Sequence, residues 1–376
     1  MRLTLLIVIA VVLVATGDVA AYPQFQLSTG SERCQRCHLS PAGGGLLNDY
    51  GRSEAGDTIS GRGDGSLLHG VWSPPGWLAL GGDLRGALLA KQLDGEAVEL
   101  LGFPMQADVS TRAAAGPVSL NLTIGLRGAA RQRPPGPAVA AWLASREHYV
   151  MYQRSDDGLY VRAGRFFPVF GLRSQDHTSY PRRHLGHYTL EEPYGLGAGT
   201  TGDTWEAHAS AFVPNPVPYT GAGPAATGAT AYLERRFAAD TRAIAGQAKV
   251  AVTGEDRRYT VGAVGKWWLE GPGLMVLSEL DAQVQTFPGA GAARLQLVAY
   301  LGVTRMWLPG WMIGAAVQRW DPDLTLRGSS RNALELNLQA FPFAHGEAHL
   351  LLRLEATGGD TFQPNALSLL QLHYYL

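Results

Sequence analysis

Val118-Ser119-Leu120-Asn121-Leu122-Thr123-Ile124-Gly125-Leu126-Arg127 is the stretch that decides the fold. Val118, Leu120, Leu122, Ile124 and Leu126 occupy every second position, and Ser119, Asn121, Thr123 and Arg127 stand between them. Successive side chains of an extended strand point to opposite faces, so this is a strand with one apolar and one polar face. The same period recurs. Leu334, Leu336, Leu338 and Ala340 oppose Glu335, Asn337 and Gln339; Ala348, Leu350, Leu352 and Leu354 oppose Glu347, His349, Arg353 and Glu355; Val276, Leu280, Ala282 and Val284 oppose Glu279, Asp281, Gln283 and Gln285. Alternating segments of about ten residues separated by turn residues are the pattern of transmembrane barrel strands. A soluble sandwich also alternates, but its strands typically run about 5–6 residues. Here the segments are longer and their polar faces carry charge, as suits a wet lumen behind a lipid-facing wall. Trp77, Trp307, Trp311 and Tyr374 fall near strand ends, where an aromatic girdle lies.

Counting outward from this segment gives strands over windows from 77–91 to 365–376. Without the weak Gly-rich stretch Tyr194 to Gly199 the count is odd. A single bacterial barrel chain has an even number, with both ends periplasmic, so 191–200 is read as a strand paired with 203–213 through Thr201-Gly202, which makes about sixteen. The Gly-rich run is not a phosphate loop, because no helix-forming segment follows it. With this count the connections 132–145, 169–190, 214–227, 321–330 and 358–364 lie on the outer side. Turns such as Ser155-Asp156-Asp157-Gly158, Gly271-Pro272-Gly273 and Ala344-His345-Gly346 face the periplasm. The expected fold is therefore all-β: a transmembrane antiparallel β-barrel over 76–376. Lumen-facing charges include Arg85, Arg127, Glu206, His208, Glu234, Arg236, Lys249, Glu279, Asp281, Glu335, His349, Arg353, Glu355 and His373. A salt-bridged wall is the plain reading of them, and contact with a cofactor or metal the sharper one. Ser174 to His184 likewise reads most simply as a surface loop, although Asp176 and His177 side by side also suit an inward fold or a metal site.

Composition bounds the alternatives. The chain has 376 residues, with 31 Lys and Arg against 32 Asp and Glu, which lacks the basic excess of a nucleic-acid binder. Although 47 residues are Gly and only 17 % are charged, 46 % are apolar, which argues against disorder. Arg2, the apolar run Leu3 to Ala15 and the small residues Val19-Ala20-Ala21 form a secretory signal peptide over 1–21. The apolar run is short for a membrane-spanning helix, and no later stretch approaches the ~20 apolar residues such a helix needs.

Residues 34–38 read Cys34-Gln35-Arg36-Cys37-His38, the attachment pattern of a c-type haem. The two thiols add to the porphyrin vinyl groups, and the adjacent imidazole is the proximal ligand to iron. A thioredoxin-like dithiol would need a βαβ context, and a zinc site would need a second ligand pair; neither surrounds this motif. One covalent haem c is thus expected on Cys34, Cys37 and His38, in an N-terminal segment spanning 22–75. For the sixth ligand the expectation is His69, the only other histidine of a segment that has no Met; Met105, His177, His184 and His187 are candidates outside it, and an open site is the remaining alternative. About fifty residues bury too little surface to cover a porphyrin alone, so the segment is expected to lean on the barrel.

Beside these motifs, Ala21-Tyr22-Pro23-Gln24-Phe25, Thr29-Gly30, Pro41 and Leu47-Asn48-Asp49-Tyr50-Gly51-Arg52 resemble the N-terminus of the fused monohaem cytochrome–porin family. That family joins a monohaem segment to an outer-membrane barrel of about sixteen strands and includes outer-membrane iron oxidases. The order of parts is similar over the whole chain, the motifs over about thirty residues. Gly43-Gly44-Gly45 and Asp176-His177-Thr178 depart from the iron-oxidase pattern. The resemblance implies electron transfer across an outer membrane, with a soluble periplasmic cytochrome on one side, an extracellular donor or acceptor such as ferrous iron on the other, and membrane lipid around the barrel. A second expectation is a diffusion porin with a haem-bearing plug or redox-sensing segment. A third is a barrel that docks a separate electron carrier.

Overall fold

A strand in lipid must have its backbone N–H and C=O groups paired on both sides, which only a closed barrel achieves. The computed structural model describes residues 34–93, 96–127, 143–155, 158–188, 191–214, 226–289, 293–358 and 364–376. The expected signal peptide, the Asp156-Asp157 turn tip, the Arg127 side chain, and most of 132–145, 214–227 and 358–364 lie outside these residues. The strands are β1 (Leu78–Gln92), β2 (Glu99–Ala115), β3 (Val118–Arg127), β4 (Leu143–Gln153), β5 (Tyr160–Arg165), β6 (Tyr194–Gly202), β7 (Trp205–Val213), β8 (Thr227–Phe237), β9 (Arg242–Val252), β10 (Arg257–Leu269), β11 (Leu274–Thr286), β12 (Ala293–Leu308), β13 (Trp311–Asp321), β14 (Arg331–Phe343), β15 (Gly346–Thr357) and β16 (Pro364–Tyr375). Each pairs antiparallel with its sequence neighbours, and β16 returns to β1 in the register Asp83↔Tyr375 to Gln92↔Ala366, closing a barrel of sixteen strands.

The wall is polar inside and apolar outside. Leu334, Leu336 and Leu338 of β14 are exposed, whereas Glu335 and Gln339 between them are buried. On β3, Val118, Leu120, Ile124 and Leu126 face out while Ser119 and Asn121 are buried. Trp77, Trp205, Trp307 and Trp311 are exposed at the rim that carries the short turns, where amphipathic rings suit a membrane interface. Tyr374 is instead half-buried among His69, Phe343 and His345. Pro104 enters β2 where the ladder to β1 slips between Arg85 and Gly86; the bulge accommodates a residue with no N–H to give.

The Gly-rich strand forms as the parity argument requires, with β6 and β7 joined by Asp203-Thr204 rather than by Thr201-Gly202. Two expectations are corrected. The strand expected over 158–168 ends at Arg165. The connection that follows is not a surface loop: residues 166–188 and 191–193 fold into the lumen as a strap, with a short helix α3 (Tyr180–His184). Phe166, Val169, Phe170, Leu172, Tyr180 and Leu185 are buried there, and a run this apolar gains more from the barrel interior than from water.

The N-terminal segment docks at the rim of short turns. It holds two small helices, α1 (Cys34–Cys37) and α2 (Asp49–Glu54). Asn48 joins them: its amide donates to the carbonyls of Gln35 (3.2 Å) and Arg36 (2.9 Å), and its Oδ1 accepts from Gly51 N (2.8 Å), capping α2. Farther on, backbone bonds clamp the segment to the barrel turns: Gly61 N to Phe341 O (2.8 Å), Gly310 N to Ile59 O (3.0 Å) and Ala344 N to Arg62 O (2.9 Å). Ile59 is buried in a cluster with Met306, Met312 and Phe341.

Candidate functional site

The lumen holds a cavity of about 350 Å³, within the range of roughly 300–1,000 Å³ typical of small-molecule and cofactor sites. Three parts of the chain line it. The N-terminal segment brings Cys34, Cys37 and His38; the strap brings Phe170, Arg173, His177, Arg182 and His187; the wall brings Asp83, Arg85, Arg146 and His373. The segment and strap touch each other directly. Arg173 Nη1 donates to Pro41 O (3.2 Å), and Ala42 packs on the apolar cluster that includes Val169 and Leu172.

The motif residues are positioned by α1 and the turn after it. Cys34 and Cys37 are both buried against the cavity. His38 N donates to Cys34 O (2.9 Å), continuing the helical turn, and His38 bridges to Leu47. The Nδ1 of His38 is buried with no hydrogen-bond partner. Burial, partly offset by Asp83 and by the backbone of Gly44, lowers the imidazole pKa to about 4, so the ring is neutral at physiological pH. Gly43 follows with φ of 75°, and a Cβ there would stand 3.3 Å from Cys34 Sγ. Two thiols on one face, a neutral imidazole with an unsatisfied nitrogen, a glycine that leaves the thiol clear and an adjoining cavity fit a covalently attached haem.

The strap is anchored along its length by wall side chains. Gly171 N donates to Gln247 Oε1 (2.6 Å) and Leu172 N to Glu279 Oε2 (2.9 Å). At Gly171, with φ of 69°, a Cβ would come within 2.5 Å of Glu279 Oε1, so a side chain would break this approach. Arg173 pairs with Glu206 (2.9 Å), Tyr180 N donates to Gln318 Oε1 (2.6 Å), and the Tyr180 hydroxyl donates to Glu355. Arg353 binds Asp176 (2.9 Å) and Glu335. Burial raises the Asp176 carboxyl, but the Arg353 guanidinium, the hydrogen bonds from Thr178 and the neighbouring His177 together outweigh it and hold the pKa below the usual carboxylate range. Lys249 donates to Leu185 O and lies 3.3 Å from His187 Nε2. His184 stacks on Trp320 with centroids 3.7 Å apart. Burial lowers His177 to about 4, with Arg182, Arg85 and Arg146 adding to it against Asp176; His187 falls well below its ordinary value through burial and Lys249.

The structure thus brings Cys34, Cys37 and His38 together and separates His69 from them. His69 sits exposed at the rim, Nε2 to the Tyr374 hydroxyl (2.9 Å), its ring edge-on to His345 at 4.5 Å. It does not line the lumen cavity, nor does Met105, which lies at the β1–β2 bulge, nor His184. Much of the charged wall is salt-bridged, as the plain reading expects: Lys266 to Glu234 (2.8 Å), His373 to both Asp83 (2.8 Å) and Glu347 (3.0 Å). Arg173 and Arg182 are among the cavity residues that the period-two pattern does not single out, as are Asp83 and Arg146. The signal for Arg173 and Arg182 is the run Phe166-Phe167-Pro168-Val169-Phe170-Gly171-Leu172, too apolar for an outer loop.

No family model and no curated protein matches the chain. Solved structures do. Outer-membrane expressed OmpT of Vibrio cholerae superposes with a TM-score of 0.59 at 9 % identity, over 81 % of this chain and 99 % of that one. An anion-selective porin from Comamonas acidovorans gives 0.60 at 8 % identity, over 80 % and 99 %. The outer membrane channel DcaP of Acinetobacter baumannii gives 0.56 at 11 % identity, over 80 % and 97 %. At such identities the likeness is one of fold, and the fold of this chain is the closed antiparallel barrel of outer-membrane porins.

Proposed function

We propose that this protein is an outer-membrane electron-transfer protein whose N-terminal segment carries one covalent haem c inside the barrel lumen. The observation that supports it is that Cys34, Cys37 and His38 converge on a cavity enclosed between the segment, the strap and the wall. The outward apolar belt, the aromatic rim and the fold shared with outer-membrane porins support an outer-membrane location. Cys34 and Cys37 would hold the haem covalently, and His38 would be its proximal ligand. When bound, the haem supplies a one-electron iron couple. The chain's own residues shape that couple's surroundings. The barrel excludes lipid, Phe170, Leu172, Leu46 and Ile59 present apolar surface to the cavity, and Arg85, Arg146 and Arg182 line it with cations suited to propionate carboxylates. A soluble cytochrome on the periplasmic side and an extracellular donor such as ferrous iron would be its partners.

The test has two steps. Denatured protein should keep haem peroxidase stain on a gel, and the Cys34→Ala, Cys37→Ala double variant should lose it. In sealed liposomes, an impermeant external reductant should reduce an enclosed acceptor, and His38→Ala should abolish this. Stain lost on denaturing the wild type, or equal transfer by His38→Ala, overturns the proposal.

The second reading is a diffusion porin whose N-terminal segment is a plug or redox sensor. The likeness to porins supports it more directly than it supports electron transfer. Solute conductance that is high in the wild type, with no transmembrane electron transfer, would establish it.

A further inference from the structure

We infer that His177, on the inward strap, is the sixth ligand of the haem iron; this rests on the haem reading above. Among the described residues four histidines line the cavity: His38, His177, His187 and His373, and no methionine does. His38 belongs to the attachment motif. His373 has both ring nitrogens engaged, Nδ1 with Glu347 (3.0 Å) and Nε2 with Asp83 (2.8 Å). His187 is stacked on Phe170, with an interplanar angle of 13°, and its Nε2 faces Lys249 Nζ at 3.3 Å. Recruiting either would break contacts that hold the wall or strap together. The ring of His177 meets only the edge of Tyr188, with centroids 5.1 Å apart, and forms no hydrogen bond with the described residues.

The position of His177 is also fixed in advance. Arg353 grips both flanking residues, binding Asp176 Oδ2 (2.9 Å) and Thr178 O (3.4 Å). Asp176 Oδ1 in turn accepts from Thr178 N (2.8 Å) and Thr178 Oγ1 (2.7 Å), tightening the turn that carries the imidazole. A ligand held by such an outer shell binds without first being ordered. The strap that carries His177 is in direct contact with the turn that follows His38, through Arg173 and Pro41. The two imidazoles therefore enter one cavity from two interlocked parts of the chain. On this arrangement the iron would tie the N-terminal segment to the outer-side strap, and His69 would serve only the rim.

The experiment uses full-length holoprotein matured with haem c. Wild type should show the absorption and EPR spectra of a six-coordinate low-spin bis-histidine haem. His177→Gly should become high-spin, and added imidazole should restore the low-spin spectrum. His177→Met should stay six-coordinate with a raised midpoint potential, because thioether ligation favours the reduced iron. Heat-modifiable migration reports that each variant's barrel is folded. Haem stain on a denaturing gel reports the attachment separately, so absence of stain in wild type defeats the haem reading itself. Stained protein whose spectrum and potential are unchanged in both His177 variants defeats only the ligand assignment. So does a wild type that is already high-spin, or a switch to high spin produced by His187→Ala or His69→Ala and not by His177→Gly.

Discussion

Replacing Arg353 with Met should detach the middle of the strap while leaving the barrel intact. Arg353 projects from β15 and is shared between Glu335 on the wall and Asp176 on the strap. The side chains of Arg353 and Glu335 are 5 % and 3 % exposed, that of Asp176 25 %. Removing one partner of a buried ion pair costs about 3–5 kcal/mol. Part of that cost falls on the wall, where Gln318 still donates to Glu335 (2.5 Å). The strap's own loss is the partly exposed pair with Asp176, about 0.2–1 kcal/mol, and the charge-assisted bond to Thr178 O, about 1.5–3 kcal/mol. Together these come to about 2–4 kcal/mol, a shift of about 30- to 700-fold toward the detached strap at 1.4 kcal/mol per decade. Limited trypsin digestion reads that population, because cleavage at Arg182 and Arg183 follows the open fraction when closing is fast. The expected result is faster nicking of the strap by about that factor in folded, heat-modifiable protein. Arg353→Met combined with Glu335→Gln should nick at a similar rate, since the wall charge is then removed without changing the strap's loss. An unchanged nicking rate in Arg353→Met would refute the view that this residue anchors the strap.

Acid should also loosen the strap. Docked, His184 is held at about 3 by burial, with Arg183 and Arg331 adding to it, against an ordinary value of 6.5. The released form therefore binds the extra proton. Docking is at full strength above about pH 6.5 and weakens by about 1.4 kcal/mol per unit as pH falls below it. Amide exchange over 178–188, corrected for its intrinsic pH dependence, should rise on going from pH 7 to 5; His184→Gln should weaken that response, and His177 and His187, which burial also holds low on this strap, should carry the remainder. Ile59→Ala empties a pocket in which Ile59 is 3 % and Phe341 0 % exposed; at about 2–5 kcal/mol it should lower the temperature at which the N-terminal segment becomes protease-sensitive, with barrel melting unchanged. An epitope within 322–330 should be stained on intact cells, and one within 270–273 only after permeabilisation; the reverse pattern would invert the topology.

The barrel was legible because its rule is local. Each strand needs only alternation and length, and Leu334-Glu335-Leu336 or Val118-Ser119-Leu120 states both within a few residues. Even the weak strand Tyr194–Gly202 could be inferred, since closure allows only an even count. The Cys34-Gln35-Arg36-Cys37-His38 spacing is equally local, since five consecutive residues state it, and the three side chains line one cavity. The strap was not legible in the same way. Its apolar run was visible, but nothing near it announces Gln247, Glu279, Gln318 or Arg353 as anchors, since they lie on strands far along the chain and meet it only when the sheet closes. The sixth-ligand question had the same character. His69 is nearest to His38 in sequence among the other histidines, yet Tyr374 and His345, brought beside it by the pairing of the last strands, hold it at the rim. Local periodicity and spacing therefore determined the wall and the motif. Which side chains enter the lumen together was decided by closure of the barrel, because that alone sets residues more than a hundred positions apart around one cavity.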